Sequence, residues 1–345
     1  MAPRVSVLMS VYNGGDYLRQ AVDSVLNSDF EELEFVIVDN FSTDGTRDYL
    51  QSLEDPRVRP ILNEKNLGQT GALNVGLEAC TAPYVARLDA DDAVLTDRFA
   101  LQAARLDGDP SLALIGGQAI RIDAAGNQIG ATRLPVDFET IRWRMALQNC
   151  FVHSSVMFRR DAALAAGLYP SDFRVSQDFA LFSAFLRAGH RLENLEQPVC
   201  ELRTHPDQVM ATGGRADELE ETARVAALNQ GWACNEAPDS ARAQLVTRLW
   251  YGGTGENNPE EALAAAGAFL EELPAPARYK ALLALVILGG PCLGNGKIRR
   301  DLLRRAISAY PAIIFDRELY VRLVRALLPE TAVERLRTRS RPSGV

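Results

Sequence analysis

The chain has 345 residues and a formal charge of −8, enough to bury the core of one large or two ordinary domains. That acidic balance excludes nucleic acid as the main partner, and 47% hydrophobic with 24% charged residues excludes a disordered or fibrous chain. Cys80, Cys150, Cys200, Cys234 and Cys292 are far apart, odd in number and form no CxxC, which fits a reduced, cytosolic setting better than a disulfide framework or zinc site.

The N-terminus runs directly into a strand, Val5 to Met9, which argues against a signal peptide. Tyr17, Leu18, Ala21, Val22, Val25 and Leu26 then recur at helical spacing and make one apolar stripe. A second strand covers residues 35–38, followed by a polar loop over 39–46 and a helix to about residue 53. A strand at 58–62 and a helix at 69–79 lead to a fourth strand at 84–88. Beyond residue 110 the alternation loosens, with strands at 113–122 and 155–158 and helices at 139–147 and 177–188, the last ended by Gly189.

From about residue 217 the pattern is helical throughout, broken at 252–255, 274–276 and 289–296. This predicts a domain of residues 1–230 and an all-helical C-terminal unit of residues 231–345. Leu302, Leu303, Ile307, Leu319, Leu323, Val324 and Leu327 are expected as its buried stripes. The longest apolar stretch, 281–289, is too short to span a bilayer, so a soluble protein is expected.

Strand–helix alternation with apolar strands predicts an α/β fold, a mostly parallel sheet flanked by helices. Ligands of such sheets bind beyond the carboxyl ends of the strands, where Tyr12, Asp39 and Asp89 each stand. The fourth strand closes on Asp89-Ala90-Asp91-Asp92. Three carboxylates in so short a span repel one another unless water or a cation neutralises them. Two readings follow: a solvated turn capping the next helix, or a seat for a hard divalent cation that also holds phosphates.

Seven segments in order resemble the family 2 inverting glycosyltransferases of the GT-A fold. They are Ser10-Val11-Tyr12-Asn13, Val38-Asp39-Asn40-x-Ser42-x-Asp44-Gly45-Thr46, Asn66-x-Gly68-x-x-x-Ala72-x-Asn74-x-Gly76 and Leu88-Asp89-Ala90-Asp91-Asp92. Asn149-x-x-x-His153-Ser154-Ser155, Gln177-Asp178-Phe179-x-Leu181-Phe182 and Leu202-Arg203-x-His205-Pro206 complete the set, and the likeness covers about residues 4–210.

The resemblance implies a GT-A nucleotide-binding sheet and a nucleoside-diphosphate sugar, a UDP-sugar being favoured. It places Ser10, Val11 and Tyr12 around the base, with Asp39 hydrogen-bonded to it, and Asp89 on the ribose. Asn66 and Gly68, at the entry to the third helix, and Asn74 within it join the donor site, as does Arg203 through a charge-assisted contact. Asp91 and His205 are implied as ligands of Mn²⁺ or Mg²⁺. Asp178 is implied as the general base for a hydroxyl acceptor, a glycan or a lipid-linked sugar. Gln177, where many members carry Glu, together with His153 and Asp92, stands near acceptor or donor sugar. Asp92 has an alternative, an ion pair with Arg98 on the following helix. Gly71 and Gly76 are read as close-packing positions.

By analogy the setting is bacterial surface polysaccharide or glycolipid synthesis. Residues 297–345 hold 12 Lys/Arg against 5 Asp/Glu, a net +7, leaving −15 on residues 1–296. Those basic helices would allow peripheral contact with the inner face of the cell membrane. A nucleotidylyltransferase would share the sheet and the acidic site, but it needs a basic, Gly-rich loop after the first strand, and from Val11 onward no basic residue occurs until Arg19. A non-catalytic sugar-nucleotide module is a further alternative, and no GxGxxG follows a strand to favour a dehydrogenase.

Overall fold

Alternation along the first strand sets the layers. In the computed structural model, which describes residues 2–95, 97–206, 215–235 and 259–288 with 303, 304, 307, 308 and 310, β1 spans Val5–Val11. Val5, Val7, Met9 and Val11 face α1 (Tyr17–Leu26), which returns Leu18, Ala21, Val22 and Val25 to the same core. Leu8 points to the opposite layer, against α3 (Gly68–Ala79). A Cβ on Gly76 would lie 2.3 Å from Leu8 Cδ1 and 2.9 Å from Val38 Cγ2, so only glycine lets that helix approach. The expected packing role of Gly76 follows directly.

Around β1, strands β2 (Leu33–Asp39), β3 (Val58–Leu62) and β4 (Tyr84–Arg87) pair in parallel, Val11 opposite Asp39 and Leu8 opposite Arg87. The short helix α2 (Thr46–Gln51) fills one crossover. This register brings the ends of β1, β2 and β4 to one edge. Beyond β4 the sheet is mixed. Strand β8 (Met157–Arg159) runs antiparallel to β4, and β6 (Leu112–Ile122) antiparallel to β8. Next, β9 (Arg191–Arg203) is parallel to β6, while β5 (Ala93–Val94) and β7 (Gln128–Ala131) pair antiparallel with β9 and β6. The full order is β3–β2–β1–β4–β8–β6–β9–β5, with β7 on β6. A tight hairpin joins β6 to β7, which only antiparallel strands permit.

Helices α4 (Arg98–Asp107), α5 (Phe138–Arg144), α6 (Arg160–Ala165) and α7 (Gln177–Arg187) flank this half. The strand expected from residue 155 starts two residues later, because His153–Ser155 is a 3-10 turn held by Ser155 Oγ on Val152 O. The pattern does not announce β9. Glu193, Glu196, Gln197 and Pro198 break its apolar run, and its pairing with β6 shifts register around Gly116 and Gln118.

The chain divides into compact units of residues 1–225 and 226–345, the break falling within α8 (Arg215–Cys234). In the second unit, helices Pro259–Glu272 and Ala277–Leu288 are separated at Pro274–Pro276, where a break was expected. The breaks at 252–255 and 289–296 and most of the basic segment lie outside the described residues. Ile307, expected in a buried stripe, is exposed. Among the described residues no helix is long and apolar enough to cross a membrane.

Candidate active site

The loops after β1 and β2 are stitched to each other. Val11 O accepts Asn40 N–H at 2.8 Å, Asn13 N–H donates to Ser42 Oγ at 2.8 Å, and Thr43 N–H returns to Asn13 Oδ1 at 2.8 Å. Asn13 and Phe41 take positive φ, 53° and 72°, strained for bulky side chains. Tyr12 and Phe41, in the loops after β1 and β2, are 53% and 42% exposed. Tyr12 follows the last residue of β1, while Ser10 and Val11 remain in the strand.

Asp39 is wholly buried. Its carboxylate accepts Ser42 N–H and pairs with Arg47 Nε at 3.0 Å, so it pins the loop rather than opening to the mouth. Asn40 was not expected in the site, yet it binds this loop to the entry of α3. Its Nδ2 donates to Asn66 Oδ1 (2.9 Å) and Gly68 O (3.2 Å), and its Oδ1 accepts Leu67 N–H (2.9 Å). Asn66 Oδ1 also takes Gly68 N–H at 2.8 Å, and Gly68 needs its φ of 72° to turn into the helix.

Asn74 departs from expectation. Both ends of its amide are spent on the backbone of Tyr169, Nδ2 to O and Oδ1 from N–H, each at 2.9 Å. It anchors a loop through both ends of the amide. The helical spacing that puts it on α3 carried no sign of this long-range contact.

At the acidic turn, Arg87 is fully buried at the end of β4 and pairs with Asp89. Ser154 Oγ donates to Asp89 Oδ2 at 2.9 Å and accepts Asp89 N–H at 3.0 Å. Burial would raise the Asp89 carboxyl, but the charge of Arg87 and these contacts hold it below the usual range. An arginine inside an apolar strand, two residues before an aspartate, was the available signal, since i and i+2 side chains share a side. Asp92 is also buried, its Oδ1 taking Arg203 N–H at 2.8 Å. Burial, with Asp89 and Asp91 adding, pushes its carboxyl well up. The expected ion pair with Arg98 does not form: that guanidinium lies inside the core and donates to Gln102 Oε1, Arg87 O and Val156 O.

Asp91 Oδ2 meets His205 Nε2 at 3.1 Å, although 114 positions separate them. The imidazole packs on Tyr17, with ring centroids 4.9 Å apart, and its Nδ1 is buried without a partner. Arg203 also departs from expectation. Only 4% exposed, it donates to Asp91 O (2.9 Å), Gln20 Oε1 (2.9 Å), Asp123 O (3.3 Å) and Ala124 O (3.4 Å). The guanidinium ties the acidic turn to α1 and to the β6–β7 hairpin, and its geometry is that of a brace.

Asp178 opens α7 and accepts Asn149 Nδ2 at 2.9 Å and Phe179 N–H at 2.6 Å. Burial pushes its carboxyl up to about 6, the Phe179 hydrogen bond opposing and the charge of Asp89 adding. His153 sits in the same electrostatic neighbourhood, with Nε2 3.1 Å from Tyr169 Oη. Burial, helped by the charge of Arg87, takes its imidazole down to about 3, so it is neutral at pH 7. Gln177 is buried rather than facing an acceptor, and its Oε1 has no partner.

The description Glycosyl transferase family 2 fits residues 6–165. Over 212 residues the chain is 32% identical to the amylovoran biosynthesis glycosyltransferase AmsE of Erwinia amylovora, covering 59% of this chain and 77% of that one. It is 30% identical over 160 residues to the succinoglycan biosynthesis protein ExoO of Rhizobium meliloti, 46% of this chain and 44% of the other. Among solved structures it resembles S. aureus TarS 1–349 in complex with UDP-GlcNAc, with a TM-score of 0.57, 16% identity, and 90% and 91% of the two chains covered. It also resembles the mannosyltransferase PcManGT from Pyrobaculum calidifontis in complex with GDP-Man and Mn²⁺, with a TM-score of 0.53, 21% identity, and 92% and 88% covered. At these identities the structural likeness shows the fold, that of the GT-A glycosyltransferases. The chain belongs to glycosyltransferase family 2.

Proposed function

We propose that this glycosyltransferase moves a sugar, with inversion, from a nucleoside-diphosphate donor to a hydroxyl acceptor in bacterial surface polysaccharide or glycolipid synthesis. The observation that carries the reading is the meeting of Asp91 and His205 at 3.1 Å, at the strand edge shared by Tyr12 and Asp89. The carboxylate oxygen suits Mn²⁺ or Mg²⁺, and an imidazole nitrogen beside it would favour Mn²⁺ of the two. Among the described residues no group of three or more His, Cys, Asp or Glu could hold a metal ion, so the remaining ligands would be phosphate oxygens and water. When bound, the ion would stabilise charge on the departing diphosphate.

The chain's own residues supply the rest. Tyr12 would face the base, and Asp89, oriented by Arg87 and Ser154, the ribose. The entry to α3 at Asn66 and Gly68 would meet phosphate. Asp178, with a carboxyl near 6 and oriented by Asn149, would take the acceptor O–H proton. The acceptor oxygen then bonds the anomeric carbon as the bond to the diphosphate oxygen breaks, and the diphosphate leaves with the electron pair. TarS with UDP-GlcNAc and PcManGT with GDP-Man and Mn²⁺ support a nucleotide-sugar donor and a divalent ion; a UDP-sugar remains our first choice. Residues 1–230 would form the catalytic domain, and residues 231–345 would bring the basic segment to the inner face of the membrane.

The test is a panel of UDP- and GDP-sugars scored for nucleoside diphosphate release with Mn²⁺, Mg²⁺ or chelator. Asp91→Asn should lose metal-dependent donor binding, whereas Asp178→Asn should keep donor binding and lose transfer. Full activity in both variants would overturn the site. Release of pyrophosphate from a sugar phosphate and a nucleoside triphosphate would favour the nucleotidylyltransferase instead.

A further inference from the structure

The segment that delivers Asp178 is gripped from two sides. On one side α3 holds it, through Asn74 on the backbone of Tyr169 and Thr70 Oγ1 on Phe173 O at 2.7 Å. On the other side stands Glu221, from the first turns of α8, beyond the residues that match the family description. Its carboxylate accepts three consecutive backbone N–H groups, Arg174 at 2.9 Å, Val175 at 2.8 Å and Ser176 at 2.9 Å. Ser176 Oγ also meets Thr222 Oγ1 at 2.7 Å. Glu221 is 8% exposed and Ser176 4%.

These donors lead directly into α7, whose second residue is Asp178. Ser176 makes no side-chain cap of its own, so the charge at this helix entry comes from α8. A carboxylate bonded to three successive amides fixes their peptide planes together, and charged acceptors make the stronger hydrogen bonds. Rotation of those planes would swing Asp178 away from Asn149, its orienting partner.

We infer that Glu221 is a positioning residue for the catalytic base, setting the aim of Asp178 through the Arg174–Ser176 backbone. The inference rests on Asp178 being the base. Donor-side groups on β1, β2 and β4 make none of these contacts, so Glu221 acts on the transfer step and leaves donor binding alone. Misplacing a catalytic group by about 1 Å can cost on the order of 10²-fold in rate.

The test uses the full chain and the sugar-nucleotide panel above, comparing Glu221→Gln, Asp178→Asn and the double variant by kcat, donor KM and thermal melting. Glu221→Gln should lower kcat roughly 10- to 100-fold, with donor KM unchanged, and should add nothing to the loss in Asp178→Asn. A Glu221→Gln chain with wild-type kcat beside an inactive Asp178→Asn chain would overturn the positioning role and leave the base in place. Equal damage to kcat and donor KM would also overturn it, as a general loss of structure. Full activity in Asp178→Asn would remove the base reading and this inference with it. Should Glu221→Gln fail to fold, Ser176→Ala with Thr222→Val takes its place, where a several-fold loss of kcat at constant donor KM is expected and no change refutes the role.

Discussion

Arg87, with no solvent exposure, pairs with Asp89 two residues further along the same strand end, and the pair sits between the core and the mouth of the site. A buried guanidinium is tolerated because a carboxylate and the carbonyls of Leu8 and Leu88 surround it.

Removing Arg87 leaves the Asp89 side chain, 28% exposed, with Ser154 as its remaining partner. Arg87→Met should therefore destabilise the fold by about 1–3 kcal/mol, read as a shifted urea midpoint. A loss under about 1 kcal/mol, the range of exposed ion pairs, would show that the pair is structurally idle.

If Asp178 is the proposed base, its carboxyl, raised to about 6 by burial, must be ionised to accept a proton. The rate of transfer should rise with pH up to about 6 and level above it, with a slope of one on the acid side. The Asp178→Asn variant should lack that limb in whatever activity remains. An acid limb that persists unchanged in the variant would assign it to another group.

Glu34 links β2 to its neighbours. Burial would raise its carboxyl, but hydrogen bonds from Ser6, the Thr81 backbone and hydroxyl, and Arg59 outweigh that and bring it down to about 2. The unfolded value is about 4.5, so the folded value is depressed. Its contribution, up to about 3 kcal/mol, is complete above the unfolded value and fades as pH falls through the folded one. Glu34→Gln should be less stable than wild type at pH 7, with the gap narrowing steadily below pH 4. A gap independent of pH would contradict the linkage.

At Gly76 two effects compete. Alanine favours the helix by about 1 kcal/mol, while overpacking against Leu8 and Val38 costs about 1–3 kcal/mol. The added carbon at 2.3 Å is too close for the gain to win, so Gly76→Ala should melt at a lower temperature. Combining it with Leu8→Ala should cost less than the sum of the two changes, since the space is shared.

The amino-acid sequence by itself determined the parallel strands β1 to β4, the stripe of α1, and the order of motifs along the edge. These depend on period and composition within a few residues, where neighbours in the chain are neighbours in space. It also put Asp91, His205 and Asp178 forward, through motifs that resemble those of the family. Tertiary structure decided which polar groups turn outward and which are consumed. Asn74 binds Tyr169, Arg203 braces the acidic turn, Asp39 pins its loop with Arg47, and Glu221 grips the entry to α7. Each partner comes from another element, 95 residues away for Asn74 and 112 for Arg203. Local pattern says where a side chain starts; the long-range hydrogen bonds that burial demands settle where it ends.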